Sequence, residues 1–189
     1  TAPVLGRDAS VAYNDVALAC VIFLVFFALE IWDRDRSMAW LAVAGLLAGF
    51  CYAIKYTGGI AILFAAAFVL WRSRSWKAVA IVVGVAFLSV APWALKNWLW
   101  LDNPVSPFFN RLFPNPYVHV STEEDYTRAM REFGGAPLGW DAPMETTIRG
   151  GRLQGIVGPA FLLMPVALLG LTDSTGRRLV AAGVIFLLP

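Results

Sequence analysis

The polar groups that could do chemistry in this chain are few and stand apart: Asp15, the Lys55-Tyr56-Thr57 triplet, the Lys96-Asn97 pair and Arg111. A carboxylate can take a proton from a hydroxyl or hold a divalent metal. An ammonium or guanidinium can neutralise a phosphate as charge develops on it. Lys55 is the most exposed to question, because it sits near the middle of an apolar run from Met38 to Trp71. One helix over that run would be roughly 50 Å long at 1.5 Å per residue, against a hydrocarbon core of about 30 Å. A lysine at the centre of a span also costs about 2.5–3.5 kcal/mol on insertion scales. Both difficulties vanish if two helices break at Lys55-Tyr56-Thr57-Gly58-Gly59, which puts Lys55 at a water interface. There it either snorkels to the surface or meets an anionic group at headgroup level, with Tyr56 and Thr57 beside it as hydrogen-bond donors.

The elements that must position these groups are membrane helices. The chain is 59% hydrophobic, where an ordinary soluble domain is roughly 45–50% apolar, and its charges cluster between apolar blocks. The expected fold class is all-α, a polytopic transmembrane helical protein with a partly helical extracytoplasmic loop. Spans are expected at 14–32, 37–54, 58–71, 77–94, 155–171 and 179–189, with an outer loop over 95–154. The short basic loops Asp33–Arg36, Arg72–Lys77 and Thr172–Arg178 all fall on one face in this arrangement, which reads as cytoplasmic; Lys55 and residues 95–154 then face outward. The chain opens on TAPVLGRDAS and closes on AAGVIFLLP within an apolar segment, and is expected to be an internal piece of a longer membrane protein. The net charge of +2 gives no reason to expect nucleic acid, and no Gly-rich nucleotide-binding turn is visible. Cys20 and Cys51, inside apolar spans, are expected to be packing residues.

The outer loop is expected to be ordered. Trp93, Trp98 and Trp100 have the character of an interfacial belt, with the chain lying along the membrane after position 94, and Asn103-Pro104 and Ser106-Pro107 are turn signals. STEEDYTRAMREF predicts a helix with Ser121 as N-cap and Glu124 closing a capping box. Its acidic residues Glu123, Glu124 and Asp125 lie at the positive end, and Arg128 and Arg131 at the negative end. Tyr126, Met130 and Phe133 share its apolar face, and Gly134-Gly135 stops it. A weaker amphipathic stretch runs from Leu138 to Ile148. His119, the only histidine, makes a poor metal site alone. Arg149 and Arg152 flank Gly150-Gly151 on the outer side, a placement that favours an anionic ligand. Asp15 reads either as a helix cap together with Asn14 or as a ligand; Asp8 reads as a solvated loop residue.

Four pieces taken together, AYNDVALA (12–19), GLLAGFCYAIKYTGG (45–59), PWALKNWLWLDNPVSPFFNRLF (92–113) and GPAFLLMPVALLGL (158–171), resemble the membrane-embedded GT-C glycosyltransferases. The likeness is to the branch of the dolichyl-phosphate-mannose protein mannosyltransferases and the aminoarabinose transferases. The third piece is the most specific. It departs from the family in having Asp102 where Gly usually precedes Asn-Pro, and Ser106 where Tyr is frequent.

The resemblance implies transfer of a sugar from a polyprenyl-phosphate donor to an acceptor protein, lipid or glycan at the extracytoplasmic face of a bacterial or archaeal cytoplasmic membrane. It matches Asp15 to a carboxylate near a metal (Mg or Mn) or the donor phosphate. It places Lys55 as a phosphate-facing basic group; Tyr56 beside it, and Lys96, Asn97 and Arg111, are candidates for donor-phosphate contacts from their own positions. It puts the principal base in an outer loop ahead of Thr1. Without the resemblance, Lys96 suits a helix C-terminus equally well and Arg111 a lipid headgroup. A transporter or a non-catalytic lipid-binding membrane subunit stays open, although no internal repeat supports a transporter.

Overall fold

The computed structural model describes residues 14–115, 117–133, 140–141, 144–149 and 159–187. Among them the regular structure is helical throughout. Helix α1 covers Asp15–Asp35, α2 Met38–Ile54, α3 Ile60–Ser73, α4 Trp76–Leu101, α5 Val120–Phe133 and α6 Ser174–Leu187. A 3-10 turn, Tyr56–Gly59, joins α2 to α3, and a 3-10 segment, Pro159–Thr172, precedes α6. The chain divides into two compact units, Thr1–Ser89 with Asp141–Pro189, and Val90–Trp140. Asp8, Arg152, Gly134-Gly135 and Gly150-Gly151 lie outside the described residues, as do the side chains of Met130 and Phe133.

The long apolar run is broken where the lysine predicted it. Lys55 leaves helical geometry (φ −155°, ψ 135°) and its N–H still closes α2 on the Cys51 carbonyl at 3.1 Å. Among the described residues three stretches are long and apolar enough to cross a membrane: Asp15–Asp35, Tyr56–Ser73 and Trp76–Leu101. Helix α2 is apolar but has only 17 residues, about 25 Å at 1.5 Å per residue. Large apolar side chains point outward along the helices, including Phe27 at 51% exposure, Leu63 at 71% and Leu88 at 66%. A surface of this kind suits lipid tails as its solvent.

Within the first unit the core is a seam of small and branched residues. Val25, Ala28, Leu29 and Trp32 of α1 meet Leu41, Ala44, Ala48 and Cys51 of α2, with Ala61, Ala65 and Val69 of α3 and Val82 of α4. Helix α2 meets α4 through Gly45 and Gly49, one turn apart. A Cβ on Gly45 would lie 2.6 Å from the Val82 carbonyl oxygen, and one on Gly49 would strike the Ala86 carbonyl. Ser89 Oγ donates to the Leu46 carbonyl across the same seam at 3.2 Å. Small residues four apart permit this approach, the usual means by which helices pack in lipid. Cys51 is buried as expected, whereas Cys20 is exposed on α1.

Three boundaries differ from expectation, one of them that of α6, which begins at Ser174 inside the expected Thr172–Arg178 turn rather than at 179. Helix α4 runs through Pro92 to Leu101, so the chain does not leave helical geometry at 94. Pro92 removes one N–H donor without ending a long apolar helix, as membrane helices tolerate. Trp93, Trp98 and Trp100 are exposed on this continuation. Helix α5 begins at Val120, one residue before the expected cap, so Ser121 lies within its first turn. Of the weaker stretch over 138–148, the described part forms a turn of π-helix at Glu145–Arg149.

Candidate functional site

Asp15 opens the first turn of α1, and Lys55 ends α2. The two meet: Lys55 Nζ donates to Asp15 Oδ1 at 2.7 Å. Asn14 does not cap α1 with its side chain. Its Nδ2 instead reaches across to the Ile54 carbonyl at 2.7 Å, satisfying an acceptor left over at the end of α2. The expected capping pair is therefore a tie between two helices. Both members of the ion pair are about half exposed, so the pair contributes only about 0.2–1 kcal/mol to stability. An ammonium carries three N–H donors, and Asp15 is the partner of Lys55 among the described residues. The ammonium is thus held in place yet open to a further anion.

The 3-10 turn that displays Lys55 is built by close contact. Gly58 N donates to the Lys55 carbonyl at 2.8 Å. A Cβ on Gly58 would strike the Cys51 carbonyl and approach Leu18 Cδ1 to 2.9 Å, so only glycine lets the turn fold back on α2. The Tyr56 ring stacks edge-on against Tyr52 at 5.1 Å and 83°, which fixes Tyr56 beside the lysine. No group of three His, Cys, Asp or Glu side chains gathers among the described residues.

The opposite end of α1 carries a second charged centre, which the sequence pattern did not disclose. Asp33 accepts from Arg36 Nη2 at 2.7 Å, from Arg72 Nε at 2.8 and 2.9 Å, and from Arg178 Nη1 at 2.9 Å. Arg178 also donates to both oxygens of Glu30 at 3.2 Å. The Asp33 and Glu30 side chains are 5% and 7% exposed. Arg36 lies over Trp32 at 4.9 Å and Arg72 over Trp71 at 5.4 Å. One carboxylate therefore gathers the three basic loops at a single end of the helices. The available signal was Glu30, an acid inside an apolar run, where an ionisable group marks a partner or a function.

In the second unit the most specific sequence piece forms a knot. Asn103 Nδ2 donates to the Phe108 carbonyl at 2.9 Å and to Asn110 Oδ1 at 3.2 Å, and Asn115 Nδ2 donates to Asn110 Oδ1 at 3.0 Å. All three asparagines are buried. Glu123 of α5 closes the knot, accepting from the Phe109 and Asn110 backbone N–H groups at 3.3 Å. Glu124 does not reach back to form a capping box; it pairs with Arg111 at 2.8 Å. Lys96 Nζ lies over the Trp93 and Trp100 rings, at 4.4 and 5.1 Å from their centroids. Asn97 is buried, and its Nδ2 has no hydrogen-bond partner among the described residues. Of the six residues read as a site, Asp15, Lys55 and Tyr56 come together at one helix end, while Lys96, Asn97 and Arg111 belong to the other unit, each in its own surroundings. His119 and Arg149 are exposed.

Comparison with protein-family models, curated proteins and solved structures returns no match for the chain.

Proposed function

We propose that the protein is an integral membrane glycosyltransferase. It moves a sugar from a polyprenyl-phosphate donor to an acceptor at the extracytoplasmic face of a multi-pass cytoplasmic-membrane protein. The observation that carries the reading is the Asp15–Lys55 pair at a helix break, at the end of α1 opposite the three gathered basic loops. If the basic end faces the cytoplasm, as basic loops generally do, the lysine lies in the outer headgroup layer. A lipid phosphate sits at that depth.

In this reading the acceptor hydroxyl loses its proton to a carboxylate base, and its oxygen bonds to the anomeric carbon of the sugar. The bond from that carbon to the phosphate oxygen breaks, and the electron pair leaves with the polyprenyl phosphate. Lys55 binds that phosphate and stabilises the negative charge that grows on it. Asp15 is a positioning residue: it holds the ammonium in the empty site and gives way to the phosphate when donor arrives. The family resemblance supplies the expectation of a base in a loop ahead of Thr1.

The test is transfer of a labelled sugar from a polyprenyl-phosphate donor by the full-length protein in membranes, with Lys55→Ala as comparison. Sugar transfer that depends on Lys55 supports the reading. No transfer to protein, lipid or glycan acceptors, or transfer indifferent to Lys55, overturns it.

A further inference from the structure

Between α3 and α6, at the basic end of the first unit, lies a groove of about 660 Å³. Its apolar wall is made by Phe64, Phe68 and Trp71 of α3 facing Ala181 of α6. The small residue on α6 leaves room for a chain-like occupant rather than closing the two helices together. Its rim is cationic, formed by Arg72, Arg177 and Arg178. Arg72 and Arg178 are committed to Asp33, and Arg178 also to Glu30. Arg177 is exposed and donates Nη1 to the Leu171 carbonyl at 3.0 Å. Asp173 also acts on Arg177, but its carboxylate is engaged by the Thr175 and Gly176 N–H groups. A guanidinium has five N–H donors, so Arg177 keeps capacity for a ligand.

We propose that this groove binds an anionic phospholipid of the leaflet on the basic side. The acyl chain lies against Phe64, Phe68 and Trp71, and the phosphate meets Arg177. Charge complementarity selects this occupant. The helix ends on this side carry Arg34, Arg36, Arg72, Arg74, Lys77, Arg177 and Arg178 against Glu30, Asp33, Asp35 and Asp173, a positive surplus beyond the internal pairs. A soluble phosphate has no use for the aromatic wall, and a zwitterionic lipid brings no net charge. Basic clefts between membrane helices commonly take anionic headgroups in this way. The proposal goes beyond sugar transfer and concerns a different lipid at a different end of the helices.

The test is lipid binding to the purified chain in detergent by native mass spectrometry, with phosphatidylglycerol and phosphatidylcholine of identical acyl chains. Phosphatidylglycerol is expected to bind about fivefold more tightly, the factor one basic residue near a headgroup contributes. Arg177→Gln is expected to abolish that preference, and Ala181→Trp to weaken phosphatidylglycerol binding by filling the groove. Lys77→Gln, which removes a charge outside the groove lining, is expected to keep the preference, and glycerol phosphate is expected not to compete. Equal binding of the two lipids overturns the proposal. So does a preference that survives Arg177→Gln, an equal loss in Lys77→Gln, or full competition by glycerol phosphate.

Discussion

Lys55 Nζ and Asp15 Oδ1 stand 2.7 Å apart, each at the end of its own helix and both open to solvent. Because the pair is exposed, cutting it costs the fold little. Lys55→Ala is expected to change the thermal unfolding midpoint hardly at all while lowering the sugar-transfer rate about 10²–10³-fold, the usual loss for one donor to developing charge. Asp15→Asn is expected to lose less, because only the lysine's position is relaxed. A double exchange, Asp15→Lys with Lys55→Asp, restores a pair of charges but is expected to remain inactive. Restored turnover in the exchange would make the pair structural.

Asp33 is the opposite case. Its side chain is almost wholly covered and serves three guanidiniums. Asp33→Ala leaves Arg72 and Arg178 partly buried without that carboxylate and is expected to destabilise the protein by about 3–5 kcal/mol. Arg36→Gln, at the exposed side of the cluster, is expected to cost about 1 kcal/mol or less. Unfolding of both variants in one detergent measures the contrast.

The seam between α2 and α4 makes a sharper prediction from glycine alone. Gly49→Ala drives a methyl into the Ala86 carbonyl, a backbone atom that cannot rotate away. It is expected to cost about 1–3 kcal/mol through overpacking. Gly84→Ala, on α4 with open space around it, is expected to be neutral or stabilising. Equal effects at the two positions would show that close approach is not what Gly49 provides.

Asp173 caps α6: its Oδ2 accepts from the Thr175 and Gly176 N–H groups at 2.9 and 3.2 Å. These bonds hold its carboxyl below the ordinary value of 3.8. A group with a depressed pKa stabilises the fold above its unfolded value and loses that contribution as pH falls through the folded one. The difference in melting temperature between wild type and Asp173→Ala is therefore expected to be constant above about pH 5. It is expected to shrink as the pH drops below 3.8.

The membrane orientation can be read directly. With Cys20 and Cys51 replaced by serine, single cysteines at Thr57 and Ser75 are expected to react with an impermeant maleimide from opposite sides of sealed cells. Thr57→Cys is expected to label from outside. Labelling of both from one side would remove the outer phosphate layer from the reach of Lys55.

Much of the helical plan was legible because lysine and arginine in an apolar sequence declare where water begins. Lys55 marked its own break, and the Asp33–Arg36 and Arg72–Lys77 loops marked the turns. The meeting of Asp15 with Lys55 was not legible as a contact, since side-chain pairing depends on the register of α1 against α2. Nor was the role of Asp33, because DRDR reads as an ordinary solvated loop until Arg178 arrives from far along the chain. The Asn-Pro piece read as turn signals and is also an internal knot of buried asparagines. Buried asparagines that bind backbone and surface asparagines that bind substrate have the same letters. Gly45 and Gly49 were legible in principle, as small residues four apart in an apolar helix.

The Glu30–Arg178 contact has a consequence for how the chain is made. Its two members are separated by 148 positions, which a ribosome covers in about 7–30 s at 5–20 residues per second. For that interval helix α1 holds an acidic side chain whose guanidinium does not yet exist. An ionisable side chain within a membrane helix is costly to leave without its partner. Helix α1 thus settles fully only after α6 has been made.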